Sequence, residues 1–267
     1  MKKLTLIACI LPFACTKIPV SEHSLSTDPL VQKEYLVSLT GSPYSAYFQY
    51  DDSLQTSYLE FNQSGYIASY FVYYVGRQAQ IISSGTDSLG STRDSAYRFV
   101  YDQSTNRIFK ILHLNDGSYD SLGFDGLGRI GSIYRYSGSP LVFTEYDTVT
   151  FNPAGDLADE YEAPITNNYR LVHFTYDTAA NPLQTTNLGY MLAILNGGAW
   201  EDLSTHNVTS RVISTSSATA PTPVVIETDT DVYTYGSNGL PVRVTETEVN
   251  SVTGTVAYTF NYAYALK

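Results

Sequence analysis

A chain of 267 residues has room for one large all-β domain or two ordinary ones. A hydrophobic share of 43% suffices for a sizeable core, while a charged share of only 15% and 24 tyrosines exclude a disordered polyelectrolyte. The 26 acidic residues outnumber the 15 basic ones, and the net charge of −11 argues against nucleic acid and anionic lipid headgroups as main partners.

Lys2 and Lys3 precede an uncharged run from Leu4 to Ala14. About 11 apolar residues are too few for a membrane-spanning helix, which takes roughly 20, but they suit the hydrophobic region of a secretory signal. Residues 1–14 are therefore expected to be a signal peptide. The run Leu11-Pro12-Phe13-Ala14-Cys15 resembles a bacterial lipobox, in which the cysteine thiol is lipidated before cleavage. It departs from the usual pattern at Pro12 and Phe13. Leu6-Ile7-Ala8-Cys9 fits locally but leaves too short a hydrophobic segment ahead of it, so Cys15 is the expected lipidation site. The competing reading is an ordinary signal cleaved nearby, with Cys15 incidental.

Loss of Lys2 and Lys3 takes the basic residues from 15 to 13 against 26 acidic ones, a net charge of −13. Both cysteines lie in this segment, so the mature chain has no internal disulfide and must be held by its core. Thr16 and Lys17 carry no acidic retention signal of the enterobacterial kind, which points to the outer membrane, on its periplasmic or its outer surface. No other segment approaches 18 apolar residues, so the lipid is the expected membrane attachment. Residues 15–33 hold Pro19 and Pro29, lack periodicity and read as a lipidated tether.

From residue 34 to 267 the chain reads as a single β domain with a recurring turn. It occurs as Phe61-Asn62-Gln63-Ser64-Gly65-Tyr66-Ile67, as Phe124-Asp125-Gly126-Leu127-Gly128-Arg129-Ile130 and as Phe151-Asn152-Pro153-Ala154-Gly155-Asp156-Leu157. Variant forms run from Tyr101-Asp102 to Asn106-Arg107-Ile108, from Tyr176-Asp177 to Asn181-Pro182-Leu183 and from Tyr235-Gly236 to Gly239-Leu240. The aromatic closes a strand with a large inward area. Asp or Asn beside it bonds a backbone N–H two residues on, and the following glycine accepts positive φ. The expected turn residues are therefore Gly65, Asn106, Gly128, Gly155, Asn181 and Gly239, with Gly138 outside the repeat and free of that requirement. Regular hairpins make an all-β antiparallel meander, a curled sheet or partly open barrel of about 14 to 16 strands. Tyrosine rings are expected to be buried with their hydroxyls at a wet rim.

One insert interrupts the repeat between Tyr176 and Tyr235. Gly189 to Leu195, stopped by Asn196-Gly197-Gly198, predicts a short helix that plugs or caps the sheet. Ser214 to Pro223 predicts a loop or long hairpin tip.

The Phe124-Asp125 and Tyr176-Asp177 units resemble YD repeats of the Rhs type. With the lipobox, the chain resembles secreted lipoproteins of Bacteroidota whose domain of unknown function is a porin-like, barrel-shaped β meander. Asn181-Pro182-Leu183 paired with Leu203-Ser204-x-x-Asn207-Val208-Thr209 is similar to that group. The resemblance implies the fold over residues 35–267 and brings no catalytic residues. Six or seven repeats are too few for the toxin-enclosing shells that long Rhs chains build.

His23, His113, His173 and His206 show neither HExxH spacing nor a cysteine partner for zinc. Asp116-Gly117-Ser118-Tyr119-Asp120 lacks the distal ligands of a calcium loop and reads as a hairpin turn. Asp159-Glu160-Tyr161-Glu162 and Glu246-Thr247-Glu248 have the composition of paired carboxylates but read as acidic outer faces of strands. There is no GxSxG element or phosphate-cradling loop, so no metal, cofactor or catalytic set is expected. The expected role is a non-enzymatic envelope lipoprotein, a scaffold or ligand-binding component whose partner is an envelope protein or glycan. The alternative is a glycan-binding or glycan-hydrolysing surface lipoprotein, using exposed tyrosines and Trp200. Lipidation is directly testable: Cys15→Ala should shift the protein from the detergent to the aqueous phase and abolish fatty-acid labelling. Loss of label only in Cys9→Ala would assign the other cysteine.

Overall fold

A computed structural model describes residues 33–63, 66–75, 78–86, 92–164, 168–186, 188, 191, 193, 200–217 and 219–266. The chain divides into Met1–Lys33 and Glu34–Lys267. Cys15, the tether, Gly65 and the body of the expected helix lie outside the described residues.

The second unit is an uninterrupted antiparallel meander. Its first half comprises β1 (Glu34–Gly41), β2 (Tyr44–Tyr50), β3 (Thr56–Gln63), β4 (Tyr66–Val75), β5 (Gln78–Thr86), β6 (Thr92–Tyr101), β7 (Ile108–His113) and β8 (Tyr119–Phe124). The second comprises β9 (Ile130–Ser137), β10 (Val142–Phe151), β11 (Leu157–Pro164), β12 (Asn168–Ala180), β13 (His206–Ser217), β14 (Ala220–Tyr235), β15 (Pro241–Asn250) and β16 (Gly254–Leu266). Each strand pairs with its chain neighbours, and β1 pairs with β16 from Glu34↔Leu266 to Gly41↔Phe260. The curl therefore continues right round. Ser214 to Pro223 is the tip of a hairpin whose two strands, β13 and β14, pair from Ser210↔Thr230 to Ser217↔Ala220.

A meander puts alternate turns at opposite ends of the strands. The turns after β2, β6, β8, β10 and β14 share one rim, and all but the last, which opens on Gly236, are built on an Asp or Asn oxygen that accepts two backbone N–H groups. In the turn after β8, the Asp125 Oδ1 accepts the N–H groups of Leu127 at 2.9 Å and Arg129 at 2.8 Å. The Asp125 N–H donates to the Arg129 carbonyl and the Gly128 N–H to the Asp125 carbonyl. Asn152 repeats this with Ala154 and Asp156, and Asp51 with Ser53 and Gln55. The left-handed position is Gly128 (φ +79°), Gly155 (φ +94°), Gly239 (φ +78°), Asn106 (φ +54°) and, after β2, Leu54 (φ +61°). Tyr50-Asp51 thus opens a unit that the sequence hides, because Leu54 stands where glycine was sought. Phe61-Asn62 instead lies within β3, leading to the opposite rim, and does not belong to this set. Gly138 also has positive φ, +87°, although it lies outside the repeat, because it sits in the tight reversal between β9 and β10.

The residue after the left-handed position reaches into the next unit. Arg107 lies over Phe124 with its Cζ 5.7 Å from the ring centroid, and Arg129 lies over Phe151 at 4.4 Å. Asp156 binds the His206 ring Nδ1 at 3.0 Å. Each cation over an aromatic face is worth about 0.5–1 kcal/mol at such half-exposed sites. The tyrosine hydroxyls expected at a wet rim donate to protein instead: Tyr50 to the Leu36 carbonyl at 2.7 Å and Tyr264 to the Pro241 carbonyl at 2.8 Å.

The insert between β12 and β13 enters the ring at this rim. It holds the 3-10 turns Pro182–Thr186 and Trp200–Leu203, with Met191 and Ala193 helical between them. Asn181 does not adopt the left-handed conformation expected of it. It clamps the two ends of the insert, donating from Nδ2 to the Ser204 carbonyl at 3.1 Å and from its N–H to Thr205 at 2.9 Å. Leu188, Met191, Ala193 and Trp200 join the inward aliphatics Leu36, Leu59, Ile111, Ile133, Leu157 and Val172 in one core. The insert also bonds to the wall, where the Leu36 N–H donates to Thr185 Oγ1 and the Leu157 N–H to Ser204 Oγ.

Gly128→Val is expected to destabilise by about 1–2 kcal/mol, since a β-branched residue resists positive φ. That is roughly 2–4 °C in melting temperature per kcal/mol. Gly126→Val, two residues away with open space around its added carbon and no positive φ, is the control and should melt like wild type.

Candidate functional site

The inward face changes character along the strands. On β2 to β4 the inward positions Ala46, Phe48, Leu59, Phe61 and Val72 are apolar, whereas on β9 to β12 and on β14 and β15 the lining turns from apolar near the turn rim to charged further along. In β10 the inward series runs from Phe151 through Val149 to Asp147 and Glu145, and in β11 from Leu157 to Glu160 and Glu162. β14 and β15 contribute Asp229 and Asp231, opposite Glu248 and Glu246. Arg135, Arg170 and Arg211 stand among these carboxylates.

The arginines are fully engaged. Arg135 Nη1 lies 2.8 Å from Glu145 Oε1 and 2.7 Å from Asp147 Oδ2. Arg170 Nη1 binds Glu162 Oε1 at 2.6 Å. Arg211 holds three carboxylates: Glu201 of the insert at 2.8 Å, Asp229 at 2.9 Å and Glu246 at 2.7 Å. Burial alone would lower the Arg211 pKa, but Glu201, Glu246 and Asp229 together hold it well above the usual value.

Carboxylates outnumber these cations, and burial with mutual repulsion retains protons. Glu160, only 4% exposed, is pushed up to about 8 by burial and then by Glu162 and Glu201. Asp147 is raised to about 7 by burial, which Arg135 only partly offsets against Glu145 and Glu162. Asp231 is raised to about 7 by burial and Glu246, and its buried Oδ1 has no hydrogen-bond partner among the described residues.

Two cavities open on this belt. One of about 370 Å³ has Tyr97, His113, Asp120, Arg135, Glu160 and Trp200 in its wall, with Glu145 and Glu162. The other, of about 410 Å³, is bounded by Tyr44, Glu201, Arg211, Asp231, Tyr233 and Tyr262. Both have the size of small-molecule sites.

Glu160, Glu162, Glu246 and Glu248 were expected on outer strand faces and instead point inward. Their alternation was legible, but which phase faces the core depends on register, which the bulge between Thr150 and Phe151 helps set. Asp159 alone of its group is outside, where it pairs with His173 Nδ1 at 2.8 Å. His113 faces the first cavity, its Nε2 3.1 Å from Asp120 Oδ2, and His206 serves the Asp156 turn. His23 lies outside the described residues. Asp116 accepts the Ser118 N–H and hydroxyl in a hairpin turn, with Gly117 at φ +75°. Trp200 is a buried core residue whose rim touches the first cavity. Arg135, Asp147, Arg211, Asp229 and Asp231 were missed; for Arg135, Asp147 and Arg211 the signal is a position two residues along from a core aliphatic, Ile133, Val149 and Ile213 respectively. Among the described residues no group of three or more His, Cys, Asp or Glu is placed to hold a metal ion.

These features define an antiparallel β-barrel protein with a plugged, acid-lined interior. No family model matches the chain, and no curated protein matches it. Among solved structures it is similar to a porin-like protein from Bacteroides uniformis, at 10% identity and a TM-score of 0.54, covering 88% of this chain and 98% of that one. A porin-like protein from Bacteroides vulgatus matches at 12% identity and a TM-score of 0.46, covering 87% and 99%. The first likeness is one of fold: the chain has the all-β, porin-like architecture.

The raised carboxyls set a pH dependence. Their folded-state values lie above the ordinary 4 or so, so the folded chain binds more protons than the unfolded one between those limits. The resulting stabilisation is complete below about pH 4 and is lost as pH rises through 7 to 8. The melting temperature should fall from about pH 5 to pH 9, and Glu160→Gln should flatten that slope and raise the alkaline melting point by roughly 2–4 °C. A Glu160→Gln profile parallel to wild type would contradict the assignment.

Proposed function

We propose that this chain is a cell-envelope lipoprotein, anchored through Cys15 to the outer membrane, whose YD-type barrel binds a small ligand in its interior. The observation that carries the ligand-binding role is the change of lining at mid-barrel. The described residues of the insert pack with the apolar core, and two cavities stand beside charged groups.

The outer face supports a barrel that sits in water. A membrane barrel keeps an apolar band outside and a polar lumen. Here the outward positions of β14, β15 and β16 mix Thr228, Thr230, Thr234, Thr245, Thr247 and Thr259 with Val232 and Val249, with no continuous apolar band on these strands, while Phe260 and Val244 are buried inside. Among the described residues no helix is long and apolar enough to cross a membrane. The lipid then supplies the attachment, with residues 15–33 as the tether and no role for nucleic acid.

A second reading, a glycan-active protein, is favoured by one feature of the first cavity. Glu160 retains its proton near neutrality beside the carboxylate of Glu162 and the rings of Tyr97 and Trp200, as a general acid facing a sugar requires. Turnover separates the two. The full chain purified in detergent should release no product from a panel of polysaccharides, aryl glycosides and esters. Hydrolysis that Glu160→Gln abolishes would replace the binding role with an enzymatic one.

A further inference from the structure

The carboxyl groups around the first cavity differ in one respect. Asp120 has His113, Glu145 has Arg135, and Glu162 has Arg170 as its basic partner. Glu160 has no ion pair or hydrogen bond among the described residues, although it is 4% exposed and lines the cavity. A carboxyl buried to that degree and left unpaired is costly, and such groups ordinarily have a partner. The cavity is its remaining direction of contact.

The surroundings specify the sign of what would fill it. Facing Glu160 are Glu162 on its own strand, Asp147 and Glu145 on β10, and Arg170 on β12. Glu201 of the insert adds its repulsion, and His113, Asp120 and Arg135 line the same cavity from β7, β8 and β9. The cations among these are already committed: Arg135 to Glu145 and Asp147, Arg170 to Glu162. Asp147 remains raised even with Arg135 at 2.7 Å, chiefly by burial, with repulsion from Glu145 and Glu162 adding to it. Among the described residues no cluster of three or more His, Cys, Asp or Glu is placed to hold a metal ion, and the Tyr97 ring in the wall suits an organic cation.

Resting on the ligand-binding reading above, we propose that this cavity takes a small organic cation, a protonated primary amine that pairs with Glu160 against the walls formed by Glu162, Tyr97 and Trp200. The amine supplies an ion pair that Glu160 lacks among the described residues, where Arg170 acts on it only at longer range. When it enters near pH 7, Glu160 gives up its proton to solvent, so one positive charge replaces another and the interior charge balance is kept.

The proposal is tested by titration calorimetry on the full chain in detergent with two pairs of probes, diaminobutane against butanediol and glucosamine against glucose. Each amine should bind about tenfold or more tightly than its neutral counterpart. Diaminobutane should bind more tightly at about pH 8.5 than at pH 6, with heats that vary with buffer ionisation because a proton is released. Glu160→Gln, which the pH argument expects to fold at least as well as wild type, should lose about tenfold or more for both amines. If glucose and butanediol bind as well as the amines, the cavity is a neutral-ligand site: the cation is then overturned while ligand binding stands. If all four fail to bind, or if Glu160→Gln binds the amines unchanged, the assignment to this cavity is wrong.

Discussion

Sixteen hydrogen-bonded strands enclose more space than their own side chains can fill. Eight strands make an interior just wide enough to pack, whereas sixteen leave a channel unless something enters it. This geometric constraint governs the molecule. The insert between β12 and β13 answers it by carrying Leu188, Met191, Ala193 and Trp200 into the ring, where they complete a core with inward aliphatics from many strands. Elsewhere in the interior Tyr44, Phe61 and Phe260 pack on one another, whereas the inward positions of β10, β11, β14 and β15 carry carboxylates and arginines beside two cavities.

The ring needs regular strand ends to close, and the repeated turn provides them. One Asp or Asn oxygen accepts two backbone N–H groups, one residue takes the left-handed conformation, and the next reaches to the following unit. Arg129 illustrates the economy: its guanidinium binds Asp125 of its own turn at 2.8 Å and lies over Phe151 of the next. The backbone N–H of Arg129, with its side chain and the Leu127 N–H, holds the Asp125 carboxyl below its usual range. The rim is thus stitched laterally by side chains as well as by the sheet, and the insert is fastened to the same rim through Asn181 and Ser204.

The rim and the chamber respond oppositely to protons. Turn aspartates such as Asp125 and Asp102 are lowered by hydrogen bonds and favour the fold when ionised. The buried belt acids Asp147, Glu160 and Asp231 are raised and favour it when protonated. The rim therefore loses strength in acid and the chamber in base. Arg211, with three carboxylates on one guanidinium, spans β13, β14, β15 and the insert, so the plug is tied electrically to the chamber that it bounds.

Local chemistry was legible in the sequence. Alternation and the aromatic–Asx–glycine spacing imply antiparallel hairpins, since strand period and Asx turns depend on neighbouring residues alone. The same spacing, read without strand phase, mistook Phe61-Asn62 for a member of the set and passed over Tyr50-Asp51, whose Leu54 takes a conformation that only a fixed backbone imposes. The facing of Glu160, Glu162, Glu246 and Glu248 was likewise beyond it. Register and bulges choose between two faces one residue apart, and those are settled by pairing with strands distant in the chain. The sequence by itself determined the elements, the turns and the acidic excess. Only the tertiary structure decided that part of the excess lies inside, because closing β1 onto β16 converts one face of a sheet into an interior, where Glu160 has no ion pair among the described residues.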